Sequence, residues 1–206
     1  MSFTITMPQP APSVPKVTGN PADVTAFADE LLRASTVADD LDTMTADEAT
    51  IDGWEGDAAT AYAAHVKTVG TDAQLISLVL RGAAIAADAY EIELTRLQLE
   101  ETTLSGEASS FNSAVDQLAT DTTGAPAEQE AALRARAAEL ETRRSQLVTD
   151  LDTMSRAVTA NDDTLRAALA KYASKSSARQ ATTGGDPADD IMNRAGAPGT
   201  TDDPKK

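Results

Sequence analysis

The sequence predicts an all-α protein: an elongated antiparallel three-helix bundle, built as a helical hairpin with a Trp-x-Gly turn and a coiled-coil extension. Three observations predict it. Aromatic residues are only 3% of the 206 and alanine is abundant, a composition that suits closely packed helices. Strand-like runs of Val, Ile, Thr and Tyr are nearly absent. Two long stretches, around 94–118 and 133–172, place apolar residues at heptad spacing.

In chain order, residues 1–19 are proline-rich and are expected to be extended or disordered. They lack the basic start and continuous apolar run of a secretory signal. No run approaches the length of a membrane span. The expectation is a soluble protein that, if it leaves the cell, does not use the general secretory route.

Asn20, Pro21 and Asp23 then read as a helix start, with Asn20 as N-cap and Pro21 at the first helical position. Val24, Phe27, Leu31, Ala34, Ala38 and Leu41 follow at spacings of three and four, one apolar stripe on a helix ending near Thr50. Phe27, Leu31 and Leu41 are the expected packing residues of this helix, with Tyr62 opposite them.

Residues 52–56, Asp-Gly-Trp-Glu-Gly, interrupt the pattern, and Asp57 can cap the next helix. That helix is expected to run from about 57 to 120. Its internal glycines, Gly70, Gly82 and Gly106, each cost about 1 kcal/mol against alanine; Gly70 and Gly106 are the places for a kink. Its middle, from Leu75 to Leu94, is apolar over a wide arc, as expected for a helix covered by two neighbours. Beyond it, Leu94, Leu97, Glu101, Leu104, Ala108, Phe111, Val115 and Leu118 form a heptad seam.

Residues 121–126 read as a turn, with Pro126 starting a third helix that runs to about 175. Its seam is Leu133, Ala137, Leu140, Arg144, Leu147, Leu151, Met154, Val158, Asn161, Leu165, Ala168 and Tyr172. Folding this helix back about residues 123–124 places position n beside roughly 247 − n, so the third helix reaches back to about residue 75. Folding the first helix about the Trp turn covers about 57–85. Both neighbours then overlap along about 75–85. The same register sets Glu101 level with Arg144, and these two charged seam positions are expected to pair and to fix the register. On that reading, Arg144→Leu alone destabilises more than replacing both residues. The tail 176–206 is expected to be disordered, with Asp186–Arg194 as a short helix and weak docking peptide carrying Ile191 and Met192.

The chain therefore divides into a 1–19 arm, a 20–101 hairpin, a 102–175 coiled-coil extension and a 176–206 tail. The only Trp sits in the hairpin turn. Gly53 and Gly56 let the chain reverse tightly and the helices approach, and the indole can lie over the open end of the hairpin.

Trp54 and Gly56, followed by Ala58, Ala59 and Tyr62 opening an Ala-rich helix, resemble the WXG-motif family of helical-hairpin proteins of type VII secretion systems. The resemblance covers about residues 20–101. It implies a non-enzymatic hairpin that pairs with itself or a related hairpin into a four-helix assembly. Such proteins are exported folded, or act as partners and carriers of larger effectors, mainly in actinobacteria and related Gram-positive bacteria. The family's Y-x-x-x-D/E export signal has no match: Tyr62, Tyr90 and Tyr172 are followed at that offset by Val66, Leu94 and Ser176. A partner then supplies the signal, or the protein stays inside as an accessory. The third helix is additional to the family's hairpin, so a homodimer does not follow from the resemblance.

Composition narrows the chemistry. Without Cys there is no disulfide, zinc–thiolate site or thiol catalysis. The single His65, one turn from Tyr62 and Val69, reads as a packed or edge residue, and any Ser–His–Asp set would rest on it alone. Asp39, Asp40 and Asp42, and Asp162 and Asp163, lack the spacing of a calcium loop. No phosphate loop, nucleophile elbow or dinucleotide fingerprint is present. No catalytic residue, metal or cofactor is expected. The formal net charge is −16, and it lies on residues 20–125, which carry 4 Lys/Arg against 20 Asp/Glu; residues 126–175 carry 8 of each. Such a surface disfavours nucleic acid and anionic lipid. It is either a solvated face or one that selects a basic partner.

Two functions fit: a type VII secretion-associated substrate, carrier or effector partner, or an intracellular coiled-coil scaffold, immunity or regulatory protein in which Trp-x-Gly is only a turn.

Overall fold

The computed structural model describes residues 3–182, and over this range the chain is all-α. Helix α1 spans Pro21–Asp47, α2 spans Asp57–Thr122 and α3 spans Glu130–Thr182, with a 3-10 turn at Ala127–Gln129 before α3. The 66 residues of α2 make it about 100 Å long at 1.5 Å per residue. It is the axis of the molecule, and α1 and α3 each pack against it.

The helix starts follow local chemistry. Asn20 caps α1 by accepting from the Ala22 amide at 3.2 Å, and Pro21 opens the helix where no N–H is needed. Gly56, with φ 100°, is the N-cap of α2. Asp57 is therefore the first helical residue rather than the expected cap; its carboxylate lies in the first turn, where the helix dipole favours negative charge.

The seam between α2 and α3 follows the heptads. Leu94, Leu97, Leu104, Phe111 and Leu118 are buried against Leu133, Ala137, Leu140, Leu147, Leu151 and Met154 in one apolar cluster. Each fully buried Leu or Phe contributes about 1.5–3 kcal/mol. This distal half is the true core of the molecule.

The register is shifted from the expected one. Tyr90 donates to Asp162 at 3.0 Å, Arg143 lies 3.5 Å from Ser110, and Tyr172 sits over Gly82. The fold-back centre is thus near 126, because α2 continues to Thr122 and the 3-10 turn delays α3 until Glu130. Arg144 is level with about residue 109, some eight residues and about 12 Å from Glu101.

The contact between α1 and α2 has different chemistry. Ala28, Ser35 and Ala38 are buried on α1; Gly70, Ala73, Ser77, Ala83, Ala84 and Ala87 are buried on α2. Small side chains let the backbones come close, and at Gly70 a Cβ would run into Thr45. Gln74 donates to Asp42 at 2.8 Å and Arg81 pairs with Asp39 across the same seam. The nine-residue connection 48–56 lets α1 cover α2 up to about residue 97 rather than 85, so both neighbours lie on α2 along about 82–97.

The arm is extended, one of its two expected states, and it is packed rather than disordered. Residues 3–19 lie along α2 and α3 beyond the start of α1. Ile5 and Val17 are buried, and Phe3, Met7, Ala11 and Val14 pack on the same cluster. Its direction is fixed by hydrogen bonds from Ala11 to Asn112 and from Val17 to Glu101, each 2.8 Å. Six residues of arm thus span eleven of α2. At 3.1 Å per extended residue and 1.5 Å per helical residue these are about 19 and 16 Å, so the geometries match. The arm and α1 together clothe α2 from end to end.

Candidate functional site

The Trp turn is formed by Ile51–Gly56. The Trp54 amide donates to the Ile51 carbonyl at 3.1 Å, and Gly53 and Gly56 have φ of 77° and 100°. These left-handed conformations explain the glycines. Close helix approach does not, since a Cβ at either position would meet open space. The indole lies against Tyr62 on α2, ring centroids 5.4 Å apart and tilted by 51°. It remains 42% exposed beside a shallow cavity of about 300 Å³ lined by Thr50, Ile51, Glu55, Ala59 and Ala63. Half of a large apolar ring is left facing solvent at the hairpin tip.

Phe27 and Leu41 do not pack the hairpin interior as expected. Both are exposed, with Val37 and Met44 beside them; Leu31 and Tyr62 are half-buried. The buried face of α1 is instead rotated by about one residue, because the close approach selects Ala28, Ser35 and Ala38. On α2, Leu78, Ile85, Ile92 and Leu99 recur every seven residues and are 65–69% exposed. Among the described residues, every exposed large apolar side chain except Val148 lies between Phe27 and Leu99. The core half of the molecule is apolar-satisfied; the hairpin half is not. Exposed apolar stripes of this kind mark interaction surfaces.

The same half is acidic, and two of its four basic residues are spent within the chain. Arg81 pairs with Asp39, and Arg96 bridges Glu93 and Glu100 at 2.6 and 2.7 Å. The Arg96 hydrogen bond holds the Glu93 carboxyl below its ordinary value.

Glu101 and Arg144 do not pair. Glu101 accepts the Val17 amide at 2.8 Å, and Arg144 donates to the Pro10 carbonyl at 3.3 Å and lies 3.9 Å from Glu141. Both charged seam positions face the arm. An extended segment has backbone groups unsatisfied by secondary structure, and seam side chains satisfy them. Asn112 and Gln98 do the same for Ala11 and Gly19. The signal for this was present: Phe3, Ile5 and Met7 alternate with Thr4 and Thr6, a period-two apolar face.

The remaining candidates are ordinary. His65 is exposed. Asp39 and Asp42 face Arg81 and Gln74, and Asp162 accepts from Tyr90. No group of three or more potential metal ligands occurs among the described residues. None of the described helices is long and apolar enough to cross a membrane. The docking peptide at 186–194 lies outside the described residues.

Compared with family models, curated proteins and solved structures, the chain matches none.

Proposed function

We propose that the chain is a non-enzymatic, type VII secretion-associated protein that pairs through its helical hairpin with another hairpin protein or a larger effector, as exported substrate or as carrier. The observation that carries this reading is the concentration of exposed apolar side chains between Phe27 and Leu99, around the Trp54 turn. The antiparallel α1–α2 hairpin, joined by Trp-x-Gly, supports the resemblance in the sequence. The acidic excess on residues 20–125 supports a partner with basic residues flanking its apolar face.

The test uses the tagged chain in its native host, with mass spectrometry of cells and medium. Ile85→Asp with Ile92→Asp removes apolar surface at exposed positions, so the helical circular dichroism signal should persist. The expected result is co-purification of a helical partner or effector, lost in the double variant and in Trp54→Ala, and recovery of the complex from the medium. A lone protein retained in cells and indifferent to these changes would leave the scaffold, immunity or regulatory reading in its place.

A further inference from the structure

The groove between the distal halves of α2 and α3 holds residues 3–19 through apolar seats and four contacts to backbone. Ile5 and Val17 are buried in the seats. Asn112 accepts the Ala11 amide and Glu101 the Val17 amide; Gln98 donates to the Gly19 carbonyl at 2.8 Å and Arg144 to the Pro10 carbonyl at 3.3 Å. These four side chains read main-chain groups, not side-chain identity. A helix docked here would arrive with its backbone already hydrogen-bonded, and Glu101 and Arg144 would then be buried against nothing useful. The groove is therefore built for extended chain.

The segment it holds is of matching chemistry. Residues 3–15 carry no charged side chain, and Pro8, Pro10, Pro12 and Pro15 remove four amides that would otherwise need acceptors. Proline also pre-orders the extended form, which lowers the entropy lost on binding. The arm has no secondary structure of its own to hold it in place.

We propose that this groove is a binding site for extended, proline-spaced apolar peptide segments, and that residues 3–19, charged only at Lys16, are its built-in, displaceable occupant. A segment of the same chemistry on another polypeptide takes the site when the arm is released. This stands on the core half of the molecule, independently of hairpin pairing.

The test uses the whole chain with Ile5→Asp and Val17→Asp, which weakens the arm and leaves the groove intact. The probe is a fluorescein-labelled peptide with the sequence of residues 3–19, read by fluorescence anisotropy. Saturable binding at least tenfold tighter than to the unaltered chain is expected, and Asn112→Ala in the same background should weaken it by about two- to tenfold. Absence of saturable binding to a variant with intact helical circular dichroism overturns the proposal, as does binding indifferent to Asn112→Ala. Should the arm variant lose its helical signal, the unaltered chain answers by hydrogen exchange. Peptide at several millimolar, matching the effective concentration of a tethered segment, should accelerate exchange of the Ala11 and Val17 amides. Unchanged exchange overturns the proposal.

Discussion

Tyr172 on α3 sits over Gly82 on α2, so closely that a Cβ at position 82 would overlap the hydroxyl end of the phenol. This contact and that of Thr45 with Gly70 give two of the three internal glycines of α2 a packing reason. Gly106 has none, since a Cβ there meets open space. Gly106→Ala should therefore stabilise the protein by about 0.5–1 kcal/mol through helix propensity. Gly82→Ala should lower the melting temperature despite the same propensity gain, because the ring must leave its seat. Thermal melts of the two variants decide this; equal gains would remove the Tyr172 contact from the account.

Glu101 and Arg144 hold the arm at two points rather than each other, so coupling between them runs through the arm. With the arm released by Ile5→Asp and Val17→Asp, a double-mutant cycle with Glu101→Leu and Arg144→Leu should give effects that add within about 0.5 kcal/mol. A larger coupling would restore the direct pair expected from the seam alone. Glu101→Leu should couple instead to Val17→Pro, which removes the amide that Glu101 accepts.

The Tyr90 phenol is pushed above its ordinary value of 10.0, first by burial and then by its hydrogen bond to Asp162. A group whose value is raised by folding contributes stability that is present below its unfolded value and lost as pH rises through its folded one. Tyr90→Phe should cost about 1 kcal/mol near pH 7, and the difference from the unaltered chain should shrink above about pH 10. Melts across that range measure it, and a constant difference would contradict the assignment.

Ser77 is buried in the α1–α2 seam and its hydroxyl has no hydrogen-bond partner among the described residues. Ser77→Ala removes an unsatisfied polar atom and improves helix propensity at one stroke. Denaturant unfolding should show a gain of about 1 kcal/mol. A loss would mean that the hydroxyl is satisfied in solution.

The three helices and the heptad seams were legible because they rest on local periodicity: the seam residues Leu94 to Leu118 and Leu133 to Met154 are those that pack. Register was less legible. The longer α2 and the 3-10 turn before α3 together set Arg144 near residue 109, and nothing in the heptads themselves sets how many residues a turn consumes. The apolar stripe expected on α1 holds at Val24, Leu31 and Ala38 and fails at Phe27 and Leu41, because burial there follows closeness of approach rather than side-chain size. In a seam of Ala, Ser and Gly, close backbone approach favours Ala28 and Ala38 and leaves Phe27 and Leu41 outside. The arm was hidden by its prolines, which signal an irregular segment when read alone. The alternation of Phe3, Ile5 and Met7 is legible, but the arm's order depends on Asn112, Glu101 and Arg144, about a hundred residues away in sequence, and that long-range satisfaction of backbone groups is not.

Helix α2 is clothed in two ways, by a packed arm over the core half and by α1 over a hairpin half with apolar surface to spare. Amide hydrogen exchange of the unaltered chain distinguishes the two. Slow exchange is expected at Ala11 and Val17 and along α2 from Leu104 to Leu118, with faster exchange throughout α1. Unprotected amides at Ala11 and Val17, or an α1 as slow as the core half, would contradict it.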